Sequence, residues 1–88
     1  MNRTQVLQQA GRLISNDRAE EYGDAMESFE RTANFWSLYL GHPVTANDVA
    51  NMMILIKTSR LSHQPTHLDS LVDIAGYAAL AVELATEK

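Results

Sequence analysis

Apolar residues recur every three or four positions along most of this 88-residue chain, and that period predicts helices rather than strands. The first predicted helix covers residues 3–15, and the polar stretch 16–23 follows it. The second predicted helix opens at Asp24, a residue type that commonly caps helices, and stops at Gly41. The first half of the chain is therefore expected to contain two amphipathic helices.

The second half shows the same period, with clearer signals for the helix starts. Thr45 and Asp48 have the spacing of a capping box, so a third helix is predicted to open there and to end near Ser62. After a proline, Thr66 is predicted to cap a fourth helix over residues 68–84. Four helices with short connections predict an all-α fold, a small antiparallel helical bundle.

The fourth predicted helix is apolar around most of its circumference, which a chain of this size can hardly cover by itself. We therefore expect residues 1–88 to form one domain whose bundle is completed by homo-oligomerisation. Small side chains on that helix would let a neighbouring helix approach closely. These residues are Ala75, Gly76, Ala78 and Ala79.

Composition narrows the classes of function. The chain is 45% hydrophobic and 20% charged, which is typical of a folded domain. Its net charge of −4 comes without any basic cluster, so we expect no nucleic-acid partner. The absence of cysteine excludes disulfides and thiol nucleophiles. No apolar run is long enough for a membrane span and none resembles a signal peptide, so we expect a cytoplasmic protein without a membrane partner.

Three acidic residues carry the candidate chemistry. Asp69 and Asp73 lie four residues apart on one helix face, where they repel each other unless a cation sits nearby. Mg²⁺ takes carboxylate ligands of this kind. Asp69 could instead cap its helix after Thr66, and Asp48 has the same two interpretations, as a cap or as a ligand. Asp73 has no capping role, so a metal or a buried cation is expected beside it.

The cations offer contacts for an anionic ligand. Arg60 lies near the centre of the apolar stripe of the third helix and should be level with Asp69, so a plain Arg60–Asp69 bridge is the alternative to a phosphate contact. In the polar stretch, Arg18 and Tyr22 could meet a phosphate and a base, or could belong to a solvated loop. The aromatic residues of the second helix, Phe35, Trp36 and Tyr39, are expected in the core or in an interface.

Several of these residues form a recognisable series. It comprises Arg18-x-x-x-Tyr22-Gly23-Asp24, Trp36-Ser37-x-Tyr39-Leu40-Gly41, Thr45-x-x-Asp48-Val49, Met52-Met53-x-Leu55-x-Lys57-x-x-Arg60 and Asp69-Ser70-x-x-Asp73-Ile74-Ala75-Gly76-Tyr77. Over residues 18–80 the series resembles a group of small uncharacterised proteins of bacteriophages and prophages. That group in turn resembles the all-α nucleotide pyrophosphohydrolases, the MazG and dimeric dUTPase class.

The second resemblance implies a magnesium-dependent site. Enzymes of that class carry Glu-Glu-x-x-Glu on one helix and Glu-x-x-Asp on the next. The matching positions here are Asn47, Asp48 and Asn51 on the third helix, and Ser70 and Asp73 on the fourth. Only Asp48 and Asp73 keep an acid at these positions.

From this resemblance, Mg²⁺ is expected to be bound by three acids, which are Asp48, Asp69 and Asp73. Asp69 and Asp73 would act in catalysis, with water as the nucleophile on a nucleoside triphosphate. The implied substrate contacts are Arg18, Tyr22, Lys57 and Arg60.

Three functions stay open at this point. The first is a MazG-like protein that binds nucleotides. Such a protein could also hydrolyse triphosphates to monophosphates and pyrophosphate. The second is a non-enzymatic phage accessory protein that binds a host or phage protein through an apolar helical surface and uses its acids as caps and salt bridges. The third is a nucleotide sponge that binds without turnover. A phage-encoded chain would act in the cytoplasm of the host.

Overall fold

In the described ranges 1–15 and 24–86 of the computed structural model, all regular secondary structure is helical. The four helices are α1 (Arg3–Ile14), α2 (Ala25–Leu40), α3 (Ala46–His63) and α4 (Leu68–Thr86). Each of their ends lies within two residues of the predicted one, so the all-helical prediction is confirmed for these ranges.

Local hydrogen bonds explain where α1 and α3 begin. At α1 the Asn2 side chain accepts the backbone N–H of Gln5 and the Gln5 side chain accepts that of Asn2, both at 2.9 Å. At α3 the Thr45 hydroxyl accepts the Asp48 N–H at 3.0 Å, and the Asp48 carboxylate accepts the Thr45 N–H at 2.9 Å. These reciprocal bonds satisfy backbone donors that a helix start leaves unpaired. The capping boxes predicted from spacing are therefore present.

The start of α4 differs from the prediction. Thr66 does not cap it, because α4 begins one residue later than that would require, at Leu68. The ring of His67 takes the capping position: its Nδ1 accepts the Ser70 backbone N–H at 3.3 Å and lies 2.7 Å from the Ser70 hydroxyl. Since Nδ1 already accepts the amide, the hydroxyl is the donor in the second bond. A histidine is an uncommon cap, which is why the residue type did not reveal it.

Helices α3 and α4 run antiparallel against each other. Lys57 contacts Asp73, whereas Asn47, at the other end of α3, donates its side-chain amide to the carbonyl of Ala81 at 2.8 Å. Helix α1 packs on α4 at Gly76, where a Cβ would lie 3.1 Å from the Ile14 side chain. The predicted close approach at Gly76 is thus made by a helix of the same chain.

The core between the described helices is small and rich in alanine. Its buried apolar residues are Ala10, Ala33, Ala46, Val49, Ala50, Val72, Leu80 and Leu84. Many larger apolar side chains lie outside this core instead. They include Phe35, Leu38, Tyr39, Leu55, Ile56, Leu71 and Val82. None of the described helices has the length and apolar character that crossing a membrane requires.

Candidate functional site

The most distinctive polar contact is an ion pair between α3 and α4. The Lys57 ammonium lies 3.0 Å from the Asp73 carboxylate, and the two side chains are 13% and 30% exposed. Partial burial strengthens the attraction but also makes each charge costly without its partner. Asp73, for which the sequence predicted a metal or a cation, therefore has a lysine beside it.

The cation beside Asp73 is Lys57 and not Arg60, which the sequence places level with Asp69. Arg60 and Asp69 are both exposed, and within the described part of the chain they form no salt bridge. The error came from placing the buried face of α3 at the centre of its large apolar residues. Ile56 is 46% exposed, whereas the small residues Ala46 and Ala50 are buried, so the buried face is rotated toward Lys57. Buried alanines are the signal that would have identified it.

Tyr77 lies one helical turn after Asp73 on α4. Its ring packs against Phe29 of α2, with the ring centroids 6.0 Å apart and the planes tilted by 35°. Burial, and secondly the negative charge of Asp73, raise the pKa of the Tyr77 phenol above its ordinary value of 10.0. The Tyr77 phenol is therefore protonated at physiological pH.

The three predicted metal ligands are not brought to one ion. Asp48 is next to Asn47, which contacts Ala81, and Ala81 lies eight residues beyond Asp73. At 1.5 Å per residue, Asp48 and Asp73 are separated by about 12 Å along the helices, while Mg²⁺ holds its ligands at about 2.1 Å. Among the described residues, no group of three or more His, Asp or Glu side chains could hold a metal ion.

The reason is the antiparallel direction of the helices. Asp48 stands near the start of α3, and Asp69 and Asp73 stand near the start of α4, so the two motifs lie toward opposite ends of the pair. Asp69 itself is exposed. The structure thus does not bring the three acids into one site, and magnesium binding stays a prediction.

The other positions matched to the enzyme motifs make structural contacts. Asn51 donates its side-chain amide to the backbone and side-chain oxygens of Asn47, both at 3.1 Å, and Asn47 in turn bridges to α4. Ser70 is fully buried and donates to His67. Sequence reasoning missed these roles because Asn and Ser carry no charge that demands a partner.

The predicted substrate contacts are divided. Lys57 is engaged by Asp73, and Arg60 is exposed on α3. Arg18 and Tyr22 lie outside the described residues, so these two predictions stay predictions.

Large apolar side chains are exposed on the outward surfaces of three helices. On α2, Leu38 and Tyr39 are 79% and 89% exposed, beside an open groove that is bordered by Ser37, His42 and Pro43. The outward residues of α3 include Met52, Leu55 and Ile56. On α4, one stripe of five apolar residues faces away from the core, and we call it the outer face of α4. It comprises Leu68, Leu71, Ala75, Ala78 and Val82.

Comparisons with known proteins agree with the phage resemblance. Residues 5–85 match the model of a domain of unknown function, DUF6378. The chain is 46% identical over 76 residues to the Gene 55 protein of Mycobacterium phage L5, covering 85% of this chain and 49% of that protein. It is 42% identical over 73 residues to the Gene 55 protein of Mycobacterium phage D29, covering 83% of this chain and 48% of that protein.

The chain spans about half the length of the curated relatives it matches. No solved structure matches it. The family model covers nearly the whole sequence, and both relatives are phage proteins. This chain therefore belongs to the DUF6378 family and is similar to bacteriophage proteins.

Proposed function

We propose that this chain is a non-catalytic interaction module of a phage-type protein, and that it binds a protein partner through apolar side chains on the outer surfaces of its helices. The observation that carries the proposal is that many of the buried apolar side chains are small, whereas many of the large apolar side chains are exposed. Alanines fill much of the core, whereas Leu38, Tyr39 and Leu55 are 79%, 89% and 66% exposed. Burying one such side chain contributes about 1.5–3 kcal/mol. A protein partner that covers such side chains would remove this apolar surface from water.

The acids support the same proposal. Hydrolysis of a nucleotide needs carboxylates that are open to a metal ion and a water. Here the Asp48 carboxylate accepts the Thr45 N–H, and Asp73 is paired with Lys57. Both acids therefore have structural roles, as a helix cap and as an ion-pair partner, and an interaction module needs no other role from them.

Nucleotide binding, with or without hydrolysis, stays a prediction. Two of its proposed contacts, Arg18 and Tyr22, lie outside the described residues, and Asp69 and Arg60 are exposed. The partner of an interaction module would be a host or phage protein in the host cytoplasm. The match covers only about half of each Gene 55 protein. The proposal therefore concerns this chain and not the activity of a whole Gene 55 protein.

Site-specific photo-crosslinking in cells that express the full protein tests the proposal. A crosslinking residue at Leu55 or Tyr39 should give a discrete adduct with one protein partner. The same residue at Gln8, an exposed polar position on α1, is the matched control and should give none. Equal adducts at all three positions, or none at Leu55 and Tyr39, would contradict the proposal.

Thermal melting with Mg²⁺ and a panel of ribo- and deoxyribonucleotides tests the nucleotide hypothesis beside it. A ligand at 100 times its Kd adds about 2.7 kcal/mol, or more than about 10 °C in Tm for a domain of this size. Asp73→Asn and Lys57→Met each break the ion pair, but only the first removes a metal ligand. A magnesium-dependent shift that Lys57→Met keeps and Asp73→Asn loses would overturn the non-catalytic proposal. We expect no such shift.

A further inference from the structure

We draw no further inference here: the strongest candidate, the outer face of α4 from Leu68 to Val82, is an uncharged apolar stripe, and nothing in the structure shows what covers it.

Discussion

The two sides of α4 differ in a way that reverses the usual pattern of a surface helix. The inner side carries the buried Val72, Leu80 and Leu84, but it also carries the polar groups Ser70 and Asp73, each with a partner. The outer face is apolar from Leu68 to Val82. Polar groups therefore mark the side that the chain folds around, because they have partners there, and apolar groups mark the exposed side.

The largest expected effect comes from truncating the inner side. Leu84→Ala should lower the free energy of unfolding by about 2–5 kcal/mol, because Leu84 is 2% exposed and its removal leaves a cavity. Urea unfolding at a fixed protein concentration measures this loss.

The matched control is Leu55→Ala on the outer surface of α3, which makes the same chemical change at an exposed site. It should alter the free energy of unfolding by no more than about 0.5 kcal/mol. Equal losses in the two variants would mean that the inner and outer surfaces contribute alike, and the comparison would not hold.

The ion pair gives the next effect. Asp73→Asn should lower the free energy of unfolding by about 1–3 kcal/mol, since Lys57 would keep its charge in a partly buried position without a partner. Chemical denaturation of the variant measures the loss.

The double variant Lys57→Met with Asp73→Leu separates the charge from the packing. Because it removes both charges together, it should recover much of the stability that Asp73→Asn loses. A double variant that is as unstable as Asp73→Asn would show that the contact matters for packing rather than for charge.

The His67 cap gives a smaller effect. His67→Ala should cost about 0.5–2 kcal/mol, because the Ser70 amide and the buried Ser70 hydroxyl both lose their acceptor. His67→Asn offers a common capping side chain and should restore much of the amide bond. Thermal unfolding of the two variants should therefore rank alanine below asparagine, and the opposite order would exclude a capping role.

The smallest effect is a pH dependence from Tyr77. Its pKa is raised in the folded state, so above pH 10.0 the unfolded chain loses the phenol proton first. The stability that Tyr77 contributes should be constant below pH 10.0 and should fall as the pH rises through the folded-state pKa. Titration of tyrosinate absorbance, with Tyr77→Phe subtracted, measures that pKa.

Asp73→Asn sharpens the assignment of cause. It removes the smaller of the two causes, so the Tyr77 pKa should move down toward 10.0 but stay above it because of burial. If the pKa of Tyr77 is unchanged in Asp73→Asn, the charge of Asp73 does not contribute to the raised pKa.

Sequence reasoning succeeded where the information is local. The spacings of Asn2 with Gln5 and of Thr45 with Asp48 predicted capping boxes that the structure contains. Asp24 precedes α2 as predicted, but its side chain makes no capping hydrogen bond. The capping histidine of α4 could not be read from residue type, because few histidines act in this way.

The candidate site was harder to predict. Asp48 and Asp73 match acidic positions of the two pyrophosphohydrolase motifs. The order of these motifs along the chain does not show at which end of the α3–α4 pair each one lies, and the structure places them toward opposite ends. Likewise, the apolar stripe of α3 predicted Arg60 near the core, whereas Arg60 is exposed and Lys57 is the partly buried cation. The resemblance to phage proteins is confirmed by the family match, whereas the MazG-like resemblance stays a prediction.

The sequence by itself determined the helices, the capping boxes of α1 and α3 and the phage family, because hydrogen bonds within a few residues and the helical period are local properties. Only the tertiary structure decided that Lys57 pairs with Asp73, that α1 packs on Gly76, and that alanines rather than larger residues form much of the core. The physical reason is that amphipathicity identifies an apolar face but not the molecule that covers it. Where a helix is apolar on both sides, packing between helices chooses the inner one.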